Sequence, residues 1–157
     1  MHYSAGLRFL PAPVPAATLL CLVIAIHDGD TLSIRCGAPG HYDVKRVRLA
    51  AIDAPEHRQA FGQRARQNLA RLCFRLQARI TPVGRDPYAR TVAHVHCRGE
   101  NAARAQVRAG LAWVYTPAAR ENPQLVALQR QARASSTGLW SQPRPQAPWN
   151  YRRRHPR

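Results

Sequence analysis

Residues 19–36 read Leu-Leu-Cys-Leu-Val-Ile-Ala-Ile-His-Asp-Gly-Asp-Thr-Leu-Ser-Ile-Arg-Cys, two apolar arms around Asp28-Gly29-Asp30-Thr31. Asp-Gly is a tight-turn signal, and arms rich in leucine and β-branched residues predict a β-hairpin over 19–27 and 31–36. Asp28 suffices for the turn. The second carboxylate, Asp30, needs another reason in a chain with 24 Lys and Arg against 8 Asp and Glu.

Gly37 and Gly40 break the hairpin, and residues 44–52 predict a third strand that stops at Asp53-Ala54-Pro55, because proline cannot donate to a ladder. From Phe61 the period changes. Phe61, Ala65, Leu69, Leu72, Cys73 and Leu76 recur at helical spacing with arginines on the other face, predicting an amphipathic helix with a basic exterior. Residues 78–83 and 91–97 read as short strands flanking the basic loop Gly84-Arg-Asp-Pro-Tyr-Ala-Arg90. Asn101 caps a helix over 101–109, and Asn122-Pro123 opens another that Gly138 ends. Five short strands with a helix after the third predict an α+β fold, a five-stranded OB-type β-barrel with three α-helices. That fold favours oligonucleotide binding without deciding function.

Three segments follow. Residues 1–18 include Pro15-Ala16-Ala17, which resembles the end of a signal peptide; residues 19–141 form the domain; residues 142–157 are a basic tail rich in proline and arginine, expected to be extended or disordered and to bind phosphates nonspecifically. A formal charge of +16 points to a polyanionic partner, with nucleic acid ahead of an anionic membrane surface. No apolar run is long enough to span a bilayer, and no broad apolar helix face suits a membrane surface. Four cysteines, Cys21, Cys36, Cys73 and Cys97, lack zinc-ligand spacing. Folding at Asp28-Gly29 sets Cys21 opposite Cys36 and leaves Cys73 with Cys97 as two disulfides; four buried thiols are the alternative.

A nucleic-acid binder has an electrostatic reason to keep carboxylates off its binding face unless a cation stands between them and the phosphate. Asp30 at the hairpin end and Asp53 to Glu56 at the end of the third strand can converge at one rim of a barrel. Two carboxylates and a backbone carbonyl are hard oxygen donors, suited to Ca²⁺ or Mg²⁺. Arg48, on the same strand, offers a fork that clamps phosphate.

Asp28-Gly-Asp-Thr31, Arg48-Leu-x-x-Ile-Asp-Ala-Pro-Glu56, Phe61-Gly-Gln63, Asp86-x-Tyr-x-Arg90-Thr91, Val107-x-x-Gly110-Leu-Ala-x-Val114 and Gly138-Leu-Trp140, in this order, resemble the staphylococcal nuclease-like family, the thermonucleases, over about 19–140. The resemblance implies Ca²⁺-dependent, sugar-nonspecific hydrolysis of phosphodiester bonds in DNA and RNA. It implies Asp30, Asp53 and the carbonyl of Ala54 as calcium ligands, Glu56 as the general base on the attacking water, and Arg48 and Arg90 as phosphate clamps. Tyr88 and Tyr115 fall at or near its nucleotide-contacting aromatics. Two positions depart from the pattern: Ala54 stands where threonine is common, and Ala89 where a glycine precedes the second arginine, which matters if the backbone there has positive φ.

Asp28 reads as a turn residue and stays outside the site; taken alone, Asp30 also reads as a turn residue, Glu56 as a helix-start acid and Arg48 as a solvated strand residue, but their joint occurrence with Asp53 and Arg90 outweighs those three readings. Tyr88 packing on its own loop is the alternative to base contact. Trp113 and Trp140 read as packing aromatics, and His94 and His96 as a solvated strand face. The expected protein is a secreted or periplasmic monomeric nuclease preferring single strands, which a shallow rim admits more easily than a duplex. Its rival is a non-catalytic OB-fold nucleic-acid-binding module.

Overall fold

A computed structural model describes residues 17–157. The signal-peptide reading of the N-terminal segment falls, but for its last two residues, outside the described residues.

The hairpin forms as its sequence dictates. Strand β1 (Leu19–Asp28) pairs antiparallel with β2 (Thr31–Ala38) around Gly29. Strand β3 (His41–Leu49) continues the meander, with Thr31 opposite Arg48. The third strand therefore starts and ends three residues earlier than 44–52: Ala51 takes φ 71° and breaks it, and Ile52–Asp53 becomes a separate short strand, β4. Helix α1 (Gly62–Cys73) follows, ended by Arg75 at positive φ. Strands β5 (Gln77–Arg85) and β6 (Thr91–Cys97) complete the sheet in the order β3-β2-β1-β5-β6, and a parallel β3–β6 pairing closes it into a five-stranded barrel of the OB type. Beyond it lie β7 (Glu100–Asn101), α2 (Ala102–Arg108), β8 (Trp113–Val114), and α3 (Pro123–Ala134). Asn101 caps α2 by accepting from the Arg104 amide.

The core inside the barrel is Val23, Leu32, Ile34, Val47, Leu49, Ile80 and Val95, with Leu69 of α1 and Val107 of α2 packed against it. Both disulfides are present, Cys21 to Cys36 across the hairpin and Cys73 to Cys97 between α1 and β6. Trp113 and Trp140 pack on each other, ring centroids 4.5 Å apart.

Residues 142–157 correct the expectation of an extended or disordered tail. Pro148 starts a fourth helix, α4 (Pro148–Arg154), since its fixed φ suits a first turn. Ala147 and Pro148 are buried, Trp149 sets its edge against Trp113, and the Gln59 side-chain amide donates to the Gln146 carbonyl. An apolar anchor that composition hid among arginines docks the segment on the barrel.

Candidate acidic site at the barrel rim

The hairpin turn is held from below. A Cβ on Gly29 would stand 2.5 Å from that of Ala65 and 2.9 Å from that of Ala54, so only glycine lets α1 and the Ala54 backbone approach the turn this closely. The buried Gln106 amide donates to the carbonyls of Gly29 (2.6 Å) and Ala65 (2.8 Å) and accepts from Asn68, so every polar atom it brings into the core is satisfied. Nothing in the spacing of α2 singled out Gln106.

Above this support Asp28 does the turn work, accepting the Asp30 amide at 3.1 Å. The Asp30 carboxylate points inward, where Oδ1 accepts from the Thr31 hydroxyl (2.9 Å) and Oδ2 from the Ala54 amide (2.7 Å). Burial, and then the neighbouring Asp28 charge, push its pKa up to about 7. Asp53 is buried as well, and burial raises its pKa against the opposing hydrogen bond from Arg152. Arg48 lies between them, Nη2 at 3.9 Å from Asp30 and 3.5 Å from Asp53.

Glu56 reaches the cluster through Arg152 of α4, which donates to Glu56 Oε1 (2.8 Å) and to both carboxylate oxygens of Asp53 (3.1 and 2.7 Å). A Cβ on Gly62 would fall 2.0 Å from the Glu56 carbonyl, so a glycine is required where α1 begins beneath that loop. Arg90 joins from the β5–β6 loop, its Nη1 lying 3.5 Å from the Thr31 hydroxyl that donates to Asp30. Asp86 braces this loop by accepting the amides of Tyr88 and Arg90 and pairing with the Arg90 guanidinium. Burial is the largest single influence on the Asp86 pKa and raises it, but the hydrogen bonds and charge of Arg90 and the Tyr88 amide together outweigh it and hold the carboxyl below its ordinary value.

The structure thus gathers Asp30, Arg48, Asp53, Ala54, Glu56 and Arg90 at one rim. Tyr88 does not pack on its loop: it is 80% exposed, with the Arg90 guanidinium 5.6 Å from its ring centroid. Tyr115 flanks the rim, its amide bonded to the Ala51 carbonyl beyond the β4–β8 ladder, but its side chain does not join the cluster. Ala89 has φ 62°, the conformation its departure from glycine made important. Two participants carry no signal in the sequence, Gln106 and Arg152, the latter indistinguishable there from the other arginines of residues 142–157.

Among the described residues no three His, Cys, Asp or Glu side chains gather as a metal-ligand group. Asp30 and Asp53 are instead a pair of dehydrated carboxylates flanked by guanidinium groups, a donor set that fits a hard divalent cation if backbone and water oxygens complete its shell.

Residues 46–142 match the family described as staphylococcal nuclease homologue. Protein ParB of Escherichia coli is 39% identical over 98% of this chain and 90% of its own length. An uncharacterized endonuclease of Haemophilus influenzae is 39% identical over 85% of this chain and 72% of its own, and a micrococcal nuclease of Shigella flexneri 38% identical over 83% and 79%.

Proposed function

The chain belongs to the staphylococcal nuclease family, and from that premise we propose that it is a Ca²⁺-dependent, sugar-nonspecific endonuclease that hydrolyses phosphodiester bonds of DNA and RNA. Family membership supports nuclease-like hydrolase function and nucleic-acid binding in general. The finer reading is carried by one observation, the convergence of Asp30 and Asp53 on Arg48, each within 4 Å of its guanidinium, at a rim that Glu56 and Arg90 also reach.

In this reading Asp30 and Asp53, with the backbone carbonyl of Ala54, hold the cation. Calcium, when bound, supplies positive charge against the phosphate and polarises its oxygen. A phosphodiester repels nucleophiles through its own charge, and Arg48 and Arg90 offset that charge with forked donors that suit phosphate oxygens. Water is a weak nucleophile at neutral pH; a Glu56 carboxylate oxygen takes its proton as attack proceeds. Tyr88 and Tyr115 offer ring faces to unstacked bases, which favours single strands. Two disulfides favour an oxidising compartment, secreted or periplasmic, and the reading is of a monomer. No helix among the described residues is long and apolar enough to cross a membrane.

The test is cleavage of single-stranded DNA in calcium, with and without a chelator, alongside Glu56→Gln. The expected result is metal-dependent cleavage that drops about 10²–10⁴-fold in the variant while DNA binding persists. Tight binding by the wild type without cleavage would instead make the protein a binding module.

A further inference from the structure

The helix carrying Arg152 is fixed, yet the side chain is not enclosed. Ala147, Pro148 and Trp149 seat the start of α4, and Gln59 holds the carbonyl of Gln146. Arg152 itself projects across the rim from two turns of helix, with its side chain 44% exposed. Its guanidinium takes both oxygens of Asp53 and one of Glu56. Those carboxylates are the ones assigned above to holding the cation and to accepting a proton from water. Arg48 already neutralises part of the acidic pair, so Arg152 adds a second guanidinium at Asp53.

We infer that Arg152 is a tethered rival of the divalent cation. It neutralises Asp53 and Glu56 in the cation-free protein, and it turns outward, with α4 still docked, when the cation enters. Arg152 thereby sets the cation affinity of the site and holds Glu56 out of use until the site is loaded. The inference rests on the nuclease reading of the acidic rim. Its physical basis is that a guanidinium bonded to both oxygens of one carboxylate claims the lone pairs and the negative charge that a hard cation needs. Sequence separation adds a further consequence: the rivalry depends on α4 reaching a strand end 99 residues earlier in the chain.

The experiment titrates Ca²⁺ calorimetrically into the full chain without nucleic acid, for wild type, Arg152→Gln and Arg152→Lys. Arg152→Gln is expected to bind Ca²⁺ about tenfold more tightly than wild type. Arg152→Lys, which keeps the charge but loses the fork, is expected to fall between them. Thermal melts supply a second readout: Arg152→Gln melts below wild type in chelator, because Asp53 loses a partner, and gains more from Ca²⁺ than wild type does. Wild type and both variants binding equally, or either variant binding more weakly, would overturn the rivalry while leaving the metal reading in place. Absence of Ca²⁺ binding by wild type and variants alike would bring down the metal reading and the inference with it.

Discussion

Two carboxylate–arginine pairs meet at the same rim and behave oppositely. Asp86 and Arg90 lie four residues apart in an exposed loop, and Asp86 also accepts two backbone amides of that loop. Asp53 and Arg152 lie 99 residues apart, with Asp53 dehydrated at the end of a short strand. Hydrogen bonds win over burial at Asp86 and lower its pKa; burial wins over hydrogen bonds at Asp53 and raises it. The same chemistry therefore makes a brace in one place, holding a guanidinium toward Thr31 at the rim, and in the other a cap over a carboxylate that water no longer stabilises.

The comparison breaks first at Arg90. Arg90→Ala is expected to lower the rate of single-stranded DNA cleavage in calcium about 10²–10³-fold, as loss of a preorganised charge donor does. Asp86→Asn, which only loosens the aim, is expected to cost about tenfold. Equal losses in single-turnover assays would mean that Asp86 touches the reaction and is no brace.

Burial on the acidic side has a pH signature. Asp30 ionises near its ordinary 3.8 in the unfolded chain but keeps its proton to about 7 in the fold. Between those values the folded chain binds more protons, so this group's contribution to stability falls as pH rises from about 4 to 7 and is level above. In chelator, Asp30→Asn should lack that fall and gain stability relative to wild type on going from pH 5 to pH 8. A constant gap between the two denaturation midpoints across that range would show that the site hydrates Asp30.

Smaller effects test the supports of each pair. Trp149→Ala should cost about 1.5 kcal/mol in urea denaturation by weakening the seat of α4 on Trp113. Ala89→Gly should stabilise by about 1 kcal/mol, since φ 62° strains alanine and suits glycine. A lower melting temperature in Ala89→Gly would mean that the gain in unfolded-chain entropy outweighs relief of strain.

Much of the barrel was legible because its determinants are local. The arms of residues 19–36, the Asp28-Gly29 turn and the β-rich segments before and after α1 predict five strands in the order found, and hairpin register alone set Cys21 against Cys36. Boundaries were less legible. A positive φ at Ala51 split the third strand, and nothing in alternating Val47 and Leu49 announces that break. In the site, Asp30, Arg48 and Asp53 stood out because carboxylates are scarce in so basic a chain, and their motif spacing carried the family resemblance. Gln106 escaped because a lone glutamine on a helix carries no periodic signal; its value lies in three partners on two other segments.

By itself, then, the sequence determined the hairpin, the barrel class, the basic partner-seeking surface and the residues that carry the acidic motif, all of which rest on contacts between near neighbours or on composition. Only the tertiary structure decided that the proline- and arginine-rich end is a docked helix, and that one arginine among the three at residues 152–154 lies on Asp53 and Glu56. The reason is that a charge run looks the same whether solvated or paired. Which carboxylate it meets depends on the docking of α4, through Trp149 on Trp113 and Gln59 on Gln146, which brings residues 99 apart in the chain to one rim.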